Sequence, residues 1–370
     1  MADRANQHFV PKFYFRNFST DHCTIGSLLI RDGRIIDRAP IKGQCARKNF
    51  YGCKELESLF SDLEGRHSSA IVAALDVANN AASADFSIAE ISDFLQAVMF
   101  QRSRTALEID KSKSTREKFT LELFRQYVMS SKHPRSKEMS DHIAAGNVSM
   151  NEPPHVVVCR SIRTALDCVM GITDLSLCLI RNRTDYPFIF SDAPVVFYNS
   201  YCRRVRNRGV LGVQCPGLQI FFPLNPWTLA LLFDADKYSG SFKEYLQYDT
   251  YSRSDVSQMN ALQLHHALNA VYFRDAEHRE YVYDLWNTHR HSFRPIKDQL
   301  DLNADFWVDG KPVDGQLIHN FEPQVGFDLS LSFMECDPIS QHEYQFTPRS
   351  PETHDEMKRM HQELLDAEEA

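Results

Sequence analysis

A chain of 370 residues, 43% hydrophobic and 24% charged, has the composition of a folded globular protein and the length of one large domain or two ordinary ones. Its net charge of −8 argues against a broad nucleic-acid footprint, which shows as a basic excess, and leaves room only for a small basic cleft. No run approaches the roughly 18 apolar residues of a membrane span, and the opening residues lack the apolar stretch of a secretory signal.

The chain opens on "NQHFVPKFYFRNF", Asn6 to Phe18. One reading makes it a docking segment, with Phe9, Phe13, Phe15 and Phe18 anchored in a core. The other places Gln7 and His8 in an active site. "SLLIRDGRIID" then carries apolar runs on both sides of Asp32-Gly33, which is hairpin chemistry because glycine tolerates the positive φ of a tight turn. From Glu55 to Ala78 apolar residues recur every three or four positions, as on a helix with one buried face. A second helix is predicted over Ile88 to Arg104, capped by Ser87 with Glu90 in a capping box. A third runs from about Ser114 to Tyr127, and residues 155–170 form a fourth.

Between Leu175 and Phe233 the period changes. "LSLCLI", "PFIF", "PVVFY", "LQIFF" and "TLALLF" are short strands separated by turn residues, and "PLNPW" predicts a tight connection between the last two. "SDVSQMNALQLHHALNAVYF" reads as one further helix. "FWVDGKPV" predicts a second Asp-Gly hairpin, and the end of the chain a helix capped by Ser350 with Pro351 at its first position. Helices followed by strands mark an α+β fold, in which an N-terminal hairpin and helical bundle pack with a mostly antiparallel sheet. The expected division is a core over 6–273, a C-terminal extension over 274–349, and a charged terminal helix over 350–370. That helix is the expected contact for a protein partner or a second copy.

Groups with chemical potential fall on several of these elements. On the first long helix, Glu57, Phe60, Glu64, His67 and Ile71 share one stripe. The carboxylates are either the solvated edge of an amphipathic helix or groups projecting into a cleft, where one acts as a base or binds a divalent metal. Glu64 and His67 have the Glu-x-x-His spacing of di-iron bundles, but the second copy such a site needs is missing. On the second helix Gln101 and Arg104 end one stripe, and Arg102 extends another of Ile91, Leu95 and Val98; its guanidinium either complements the helix dipole and snorkels to water or meets the glutamates or a phosphate. "FIFSDAPVV" puts Ser191 and Asp192 at a strand end, as a plain turn or as a rigidly presented acid. Asn260 and Gln263 share a helix stripe on which buried amides need partners.

Other signals carry less. The nine cysteines contain no C-x-x-C pair, so they are neither a disulfide framework nor a zinc ribbon and read as inert thiols of a reducing cytoplasm, the expected location. His265 and His266 are adjacent and point to different helix faces, poor geometry for a shared metal. "YCRRVRNRG" reads as a solvated loop. Phosphate-binding and hydrolase motifs are absent from the sequence.

In this order, "NQHFVPKFYFRNF", "KNFYG", "LESLFSDLEGRH", "FLQAVMFQRSRT", "FIFSDAPVV", "LQIFFPLNPWTLALLF" and "VSQMNALQLHHALNAVYF" resemble the family grouped as domain of unknown function 4238. The resemblance spans about residues 6–273 and implies a shared fold there. It marks His8, Tyr51, Glu57, Glu64, Gln101, Arg104, Asp192 and Asn260 as matching the family's polar pattern, and it implies no activity. The chain departs from the pattern at Phe15, where leucine is usual, and at Ala193, where an asparagine often follows "SD".

An imidazole, carboxylates, a guanidinium and amides on apolar elements are the mixture that phosphodiester cleavage requires. The leading expectation is a nuclease-like hydrolase, a toxin or phage-defence effector acting on nucleic acid in a small cleft. Its catalytic set is His8, Glu57, Glu64, Gln101, Arg104 and Asp192, and Gln7, Tyr51, Arg102 and Asn260 bind substrate. Glu57, Glu64 and Asp192 are the candidate ligands of a divalent metal such as Mg²⁺. The alternative is a non-catalytic binding or scaffold module whose polar residues form a satisfied buried network. The two are told apart by whether His8, Glu64, Arg104 and Asp192 converge on an open pocket or pair off in a closed core.

Overall fold

The computed structural model describes residues 6–51, 54–80, 86–131, 133–244, 246–304, 307–308, 311–312 and 317–369. The N-terminal segment forms strand β1 (Asn6–His8) and helix α1 (Lys12–Phe18), followed by β2 (Thr24–Leu29), β3 (Ile35–Pro40) and β4 (Ala46–Lys48). Pro11 holds the extended backbone that precedes α1. Tyr14, Phe15 and Phe18 are buried on one side of α1, while Lys12 and Arg16 are exposed. The docking reading of this segment therefore describes its aromatics. β2 and β3 form the expected hairpin, and Gly33 takes a φ of +70° in its turn. β4 pairs antiparallel with β1 and places Arg47 opposite Gln7.

Five helices follow: α2 (Lys54–Asn79), α3 (Ile88–Ser103), α4 (Ala106–Ser130), α5 (Ser136–Ala144) and α6 (Pro154–Asp167). Ser87 and Glu90 make the reciprocal capping box expected for α3. The third helix starts well before Ser114, because Thr105 Oγ1 accepts from Glu108 N at 3.3 Å and caps α4 directly behind α3. The short α5 has no counterpart in the sequence reading.

The remaining chain supplies β5 (Ser176–Asn182), β6 (Phe190–Ser191), β7 (Val196–Tyr198), β8 (Gln219–Asn225), β9 (Thr228–Phe233) and β10 (Gln247–Thr250). Then come α7 (Arg253–His266), β11 (Ala270–Phe273), α8 (Arg279–His289), β12 (Gln299–Ala304), β13 (Trp307–Val308), β14 (Lys311–Pro312), β15 (Leu317–Phe321) and α9 (Pro351–Glu369). One sheet has the order β10-β5-β9-β8-β7, antiparallel except for the β10–β5 pair. Pro226 and Trp227 form the tight β8–β9 turn, with Asn225 paired to Thr228.

A second, antiparallel sheet has the order β3-β2-β11-β6. Here the expected single helix over "SDVSQMNALQLHHALNAVYF" is corrected: α7 ends at His266, and Ala270 to Phe273 run as a strand between β2 and β6. All four residues of β11 are buried, which suits a central strand covered on both faces. β13 and β14 pair antiparallel, while Asp309-Gly310, the turn expected between them, lies outside the described residues.

α1 joins the two sheets. Tyr14 stacks on Phe222 of β8 with ring centroids 5.3 Å apart, Phe18 lies 4.5 Å from Phe190 of β6, and Phe15 meets Tyr272 of β11 at 4.9 Å. The Tyr14 hydroxyl donates to the Pro223 carbonyl in the same core. Beyond residue 277, Trp286 closes on the β2–β3 turn, and Leu329, Leu331 and Phe333 join the core under the five-stranded sheet. No helix among the described residues is long and apolar enough to cross a membrane.

Candidate functional site

Arg104 caps the C-terminal end of α3 and is 1% exposed. Its Nε and Nη2 donate to the Tyr51 hydroxyl at 2.9 and 2.7 Å, and Nη2 also donates to the His8 carbonyl at 2.6 Å. Its Nη1 lies 2.6 Å from Glu64 Oε1 as an ion pair, off the line of a hydrogen bond. Tyr51 donates through its hydroxyl to the same His8 carbonyl at 2.8 Å, and its backbone N–H donates to Gln7 Oε1 at 2.6 Å. Gln101 Nε2 donates to the Phe9 carbonyl at 3.1 Å. Gln7, His8, Tyr51, Glu64, Gln101 and Arg104 are thus brought together as the sequence suggests.

What this cluster uses of His8 is its carbonyl. The imidazole turns to the Lys42 carbonyl at 3.2 Å, and burial, with nearby Lys12, pulls it down to about 4. The space beside Glu64, His67 and Arg104 is only 10 Å³, about one water. Six polar residues here fasten β1 and the loop before α2 to the end of α3.

The other predicted residues go elsewhere. Asp192 accepts from the backbone N–H groups of Leu268 and Asn269 at 2.8 and 2.9 Å and from Asn269 Nδ2 at 3.0 Å, so it holds the α7–β11 turn. Asn260 accepts from Ile189 N at 3.0 Å and donates to the Pro187 carbonyl and the Tyr281 hydroxyl, both at 2.8 Å. Gln263 accepts from Ser191 N and donates to the Pro194 carbonyl, each at 2.9 Å. Together the two amides strap "FIFSDAP" to α7. Glu64 and Asp192 therefore serve different partners, and the Glu57 side chain lies outside the described ones.

Arg102 points the other way, into a second cluster. Its Nη2 lies 3.3 Å from Glu108 Oε1 and pairs with Glu322 Oε2, while its guanidinium sits 4.0 Å above the Phe197 ring. Lys111 Nζ lies 2.9 and 3.1 Å from the two Glu108 oxygens, 2.8 Å from Glu322 Oε2 and 3.9 Å from Asp298 Oδ1. Glu108 and Lys111 stand three residues apart on one face of α4, and Glu322 directly follows β15.

At the last turn of α7, His266 Nδ1 meets the Ala193 carbonyl at 2.9 Å. A ring nitrogen of His266 and one oxygen each of Glu108 and Glu322 lie within 4.8 Å of one another. Glu108, Lys111, Asp298 and Glu322 line an open cleft of 660 Å³, together with Ser112, Arg116 and Arg160. Burial alone would lower the Lys111 ammonium, but Glu108 and Glu322 outweigh it and raise it. Burial alone would raise the Glu322 carboxyl, and Arg102 and Lys111 hold it well below the usual carboxylate range.

Residues 6–277 match the family model described as protein of unknown function (DUF4238). The chain belongs to the DUF4238 family. No curated protein and no solved structure matches it. The matched span contains the whole His8–Arg104 network together with Arg102, Glu108, Lys111 and His266; Asp298 and Glu322 come from beyond it. The open cleft is thus built where the DUF4238 region meets the C-terminal part of the chain.

Of this cluster, sequence reasoning found only Arg102. The available signal is the Glu108–Lys111 spacing, which becomes a helix face only with the helix start at Ala106 and not near Ser114. Adjacency to His265 conceals His266 in the sequence, because its partners Glu108 and Glu322 come from other elements.

Proposed function

We propose that the chain is a hydrolase acting on phosphodiester bonds, with the reaction in the cleft between α4 and the segment after β15. The observation that carries this reading is Lys111: an ammonium 6% exposed, held charged by carboxylates and lining an open cleft. Preorganised buried cations stabilise the charge that develops on phosphoryl oxygens, and Lys111 and Arg102 supply two. Asp298 Oδ1 has no hydrogen-bond partner among the described residues, while Oδ2 accepts from Thr115 at 2.8 Å. The buried Oδ1 lies 3.9 Å from Lys111 Nζ and helps to hold the ammonium in the cleft wall. Arg116 and Arg160 line the same cleft and share one carboxylate, Glu152, at 3.6 and 2.5 Å, which leaves net positive charge for the flanking phosphates of a nucleic-acid chain.

The test incubates purified protein with RNA, single-stranded DNA and duplex DNA, with and without added divalent cations, beside folded Lys111→Ala and Asp298→Asn variants. Cleavage by the wild type that falls at least a hundredfold in both variants supports the reading. Intact substrates under every condition sink it. A second reading, a non-catalytic binding module, is favoured by the closed His8–Arg104 network, whose polar groups spend themselves on one another.

A further inference from the structure

The geometry points to a binding site for one divalent cation of the Zn²⁺ class, formed by Glu108 and Glu322 of the cleft wall together with the buried His266. The inference deepens the proposed hydrolase site, and it stands on the placement of these three side chains.

His266 is 2% exposed, and its Nδ1 faces a backbone carbonyl. A carbonyl only accepts, so Nδ1 carries the proton and Nε2 presents a lone pair. That nitrogen is buried and has no hydrogen-bond partner among the described residues. A bare lone pair beside two carboxylates is a costly arrangement unless a cation sits among them. An imidazole whose second nitrogen donates to a backbone carbonyl is also how metal-bound histidines are oriented. One nitrogen and two carboxylate oxygens within 4.8 Å of one another are a donor set that fits around a single ion with metal–ligand bonds of about 2.0–2.2 Å. The imidazole favours Zn²⁺ over the Mg²⁺ suggested by a carboxylate-only set, because Mg²⁺ selects oxygen ligands.

Lys111 and Arg102 already neutralise the two carboxylates, so an entering cation must share them. The structure contains a place for Lys111 to go. Asp298 Oδ1 lies 3.9 Å from Nζ and has no hydrogen-bond partner among the described residues, and the lysine stem is flexible enough to close that gap. Metal entry then transfers the ammonium from Glu108 and Glu322 to Asp298.

The experiment uses the full chain, stripped with a chelator, dialysed, and titrated with Zn²⁺ alone, with no substrate present. The expected result is one equivalent bound at micromolar or tighter affinity and a raised melting temperature. His266→Gln and Glu322→Gln should each weaken binding at least tenfold, while His67→Gln, outside the cluster, leaves it unchanged. Co²⁺ in the wild-type protein should give the visible absorption of a nitrogen-and-oxygen site, a readout that survives if a variant does not fold. Binding below a tenth of an equivalent by the folded wild type overturns the inference. So does equal affinity in wild type and both cluster variants. Zn²⁺ binding without any cleavage would leave this site standing and remove only the hydrolase reading; cleavage by a protein that binds no Zn²⁺ would do the reverse.

Discussion

The guanidinium of Arg104 donates twice to the hydroxyl of Tyr51, at 2.9 and 2.7 Å, and that hydroxyl donates onward to the carbonyl of His8 at 2.8 Å. The arginine ends α3 and the carbonyl ends β1, so one phenol couples the N-terminal strand to the helical layer. Tyr51→Phe leaves two N–H groups of a buried cation without their acceptor, and we expect it to cost about 1–3 kcal/mol. Arg104→Ala removes the partner of Glu64 as well as two donors and should cost about 3–5 kcal/mol. Urea denaturation of the two variants checks both values. A loss below 0.5 kcal/mol in each, by the same measure, would mean that β1 docks through its aromatics alone.

Acid should destabilise the fold between pH 6.5 and 4. His8, His67, His265 and His266 are each lowered from 6.5 to about 4, in every case chiefly by burial. In that window the unfolded chain binds protons that the folded chain refuses, so stability present above pH 6.5 is lost as pH falls toward 4. His67 isolates one contribution, because its Nε2 has no hydrogen-bond partner among the described residues and its ring rests 5.0 Å from Phe100. His67→Phe should flatten the pH dependence of the denaturation midpoint between pH 6.5 and 4. An unchanged slope would show that the other groups carry the effect.

The parts legible in the sequence are those whose cause is local. The Ser87–Glu90 box, the Gly33 turn and the Pro226-Trp227 turn each depend on a few adjacent residues, and each stands where expected. β11 was hidden because "ALNAVYF" continues the apolar content of α7, and the break depends on Asp192, far away in the chain, accepting from Leu268 and Asn269. The residues joining His8 to Arg104 were visible through their pattern. Their closure around a 10 Å³ space was not, because it depends on how β1 and α3 approach. The cleft cluster draws on α4, α7 and residues 298 and 322, and no local spacing encodes side chains brought together from elements so far apart.

Asp192 tests how strictly that break is enforced. Its two oxygens accept three N–H groups at the α7–β11 turn, in a fully buried position. Asn is nearly the same size but offers a donor where a second acceptor is needed, so it sets an N–H against an N–H. Asp192→Asn should therefore cost about 2–4 kcal/mol, more than the shape change warrants. Hydrogen exchange should show the loss first at Leu268 and Asn269. Wild-type protection at both amides would place the control of this turn elsewhere.

The ion cluster in the cleft has a charge balance that a double substitution can probe. Arg102 and Lys111 face Glu108, Asp298 and Glu322, two cations against three carboxylates. Lys111→Met leaves one cation among three carboxylates in a largely buried site, and we expect a loss of about 3–5 kcal/mol. Glu322→Gln alone removes one acceptor from both cations and should cost about 1–3 kcal/mol. Combined, the two changes restore the original excess of one negative charge, so the double variant should be more stable than the sum of the singles by about 1–3 kcal/mol. Chemical denaturation of the four proteins in chelator-treated buffer measures that coupling without any bound cation. A coupling within 0.5 kcal/mol of zero, the ordinary error of such sums, would mean that Lys111 is held by Glu108 alone and that Glu322 answers only to Arg102.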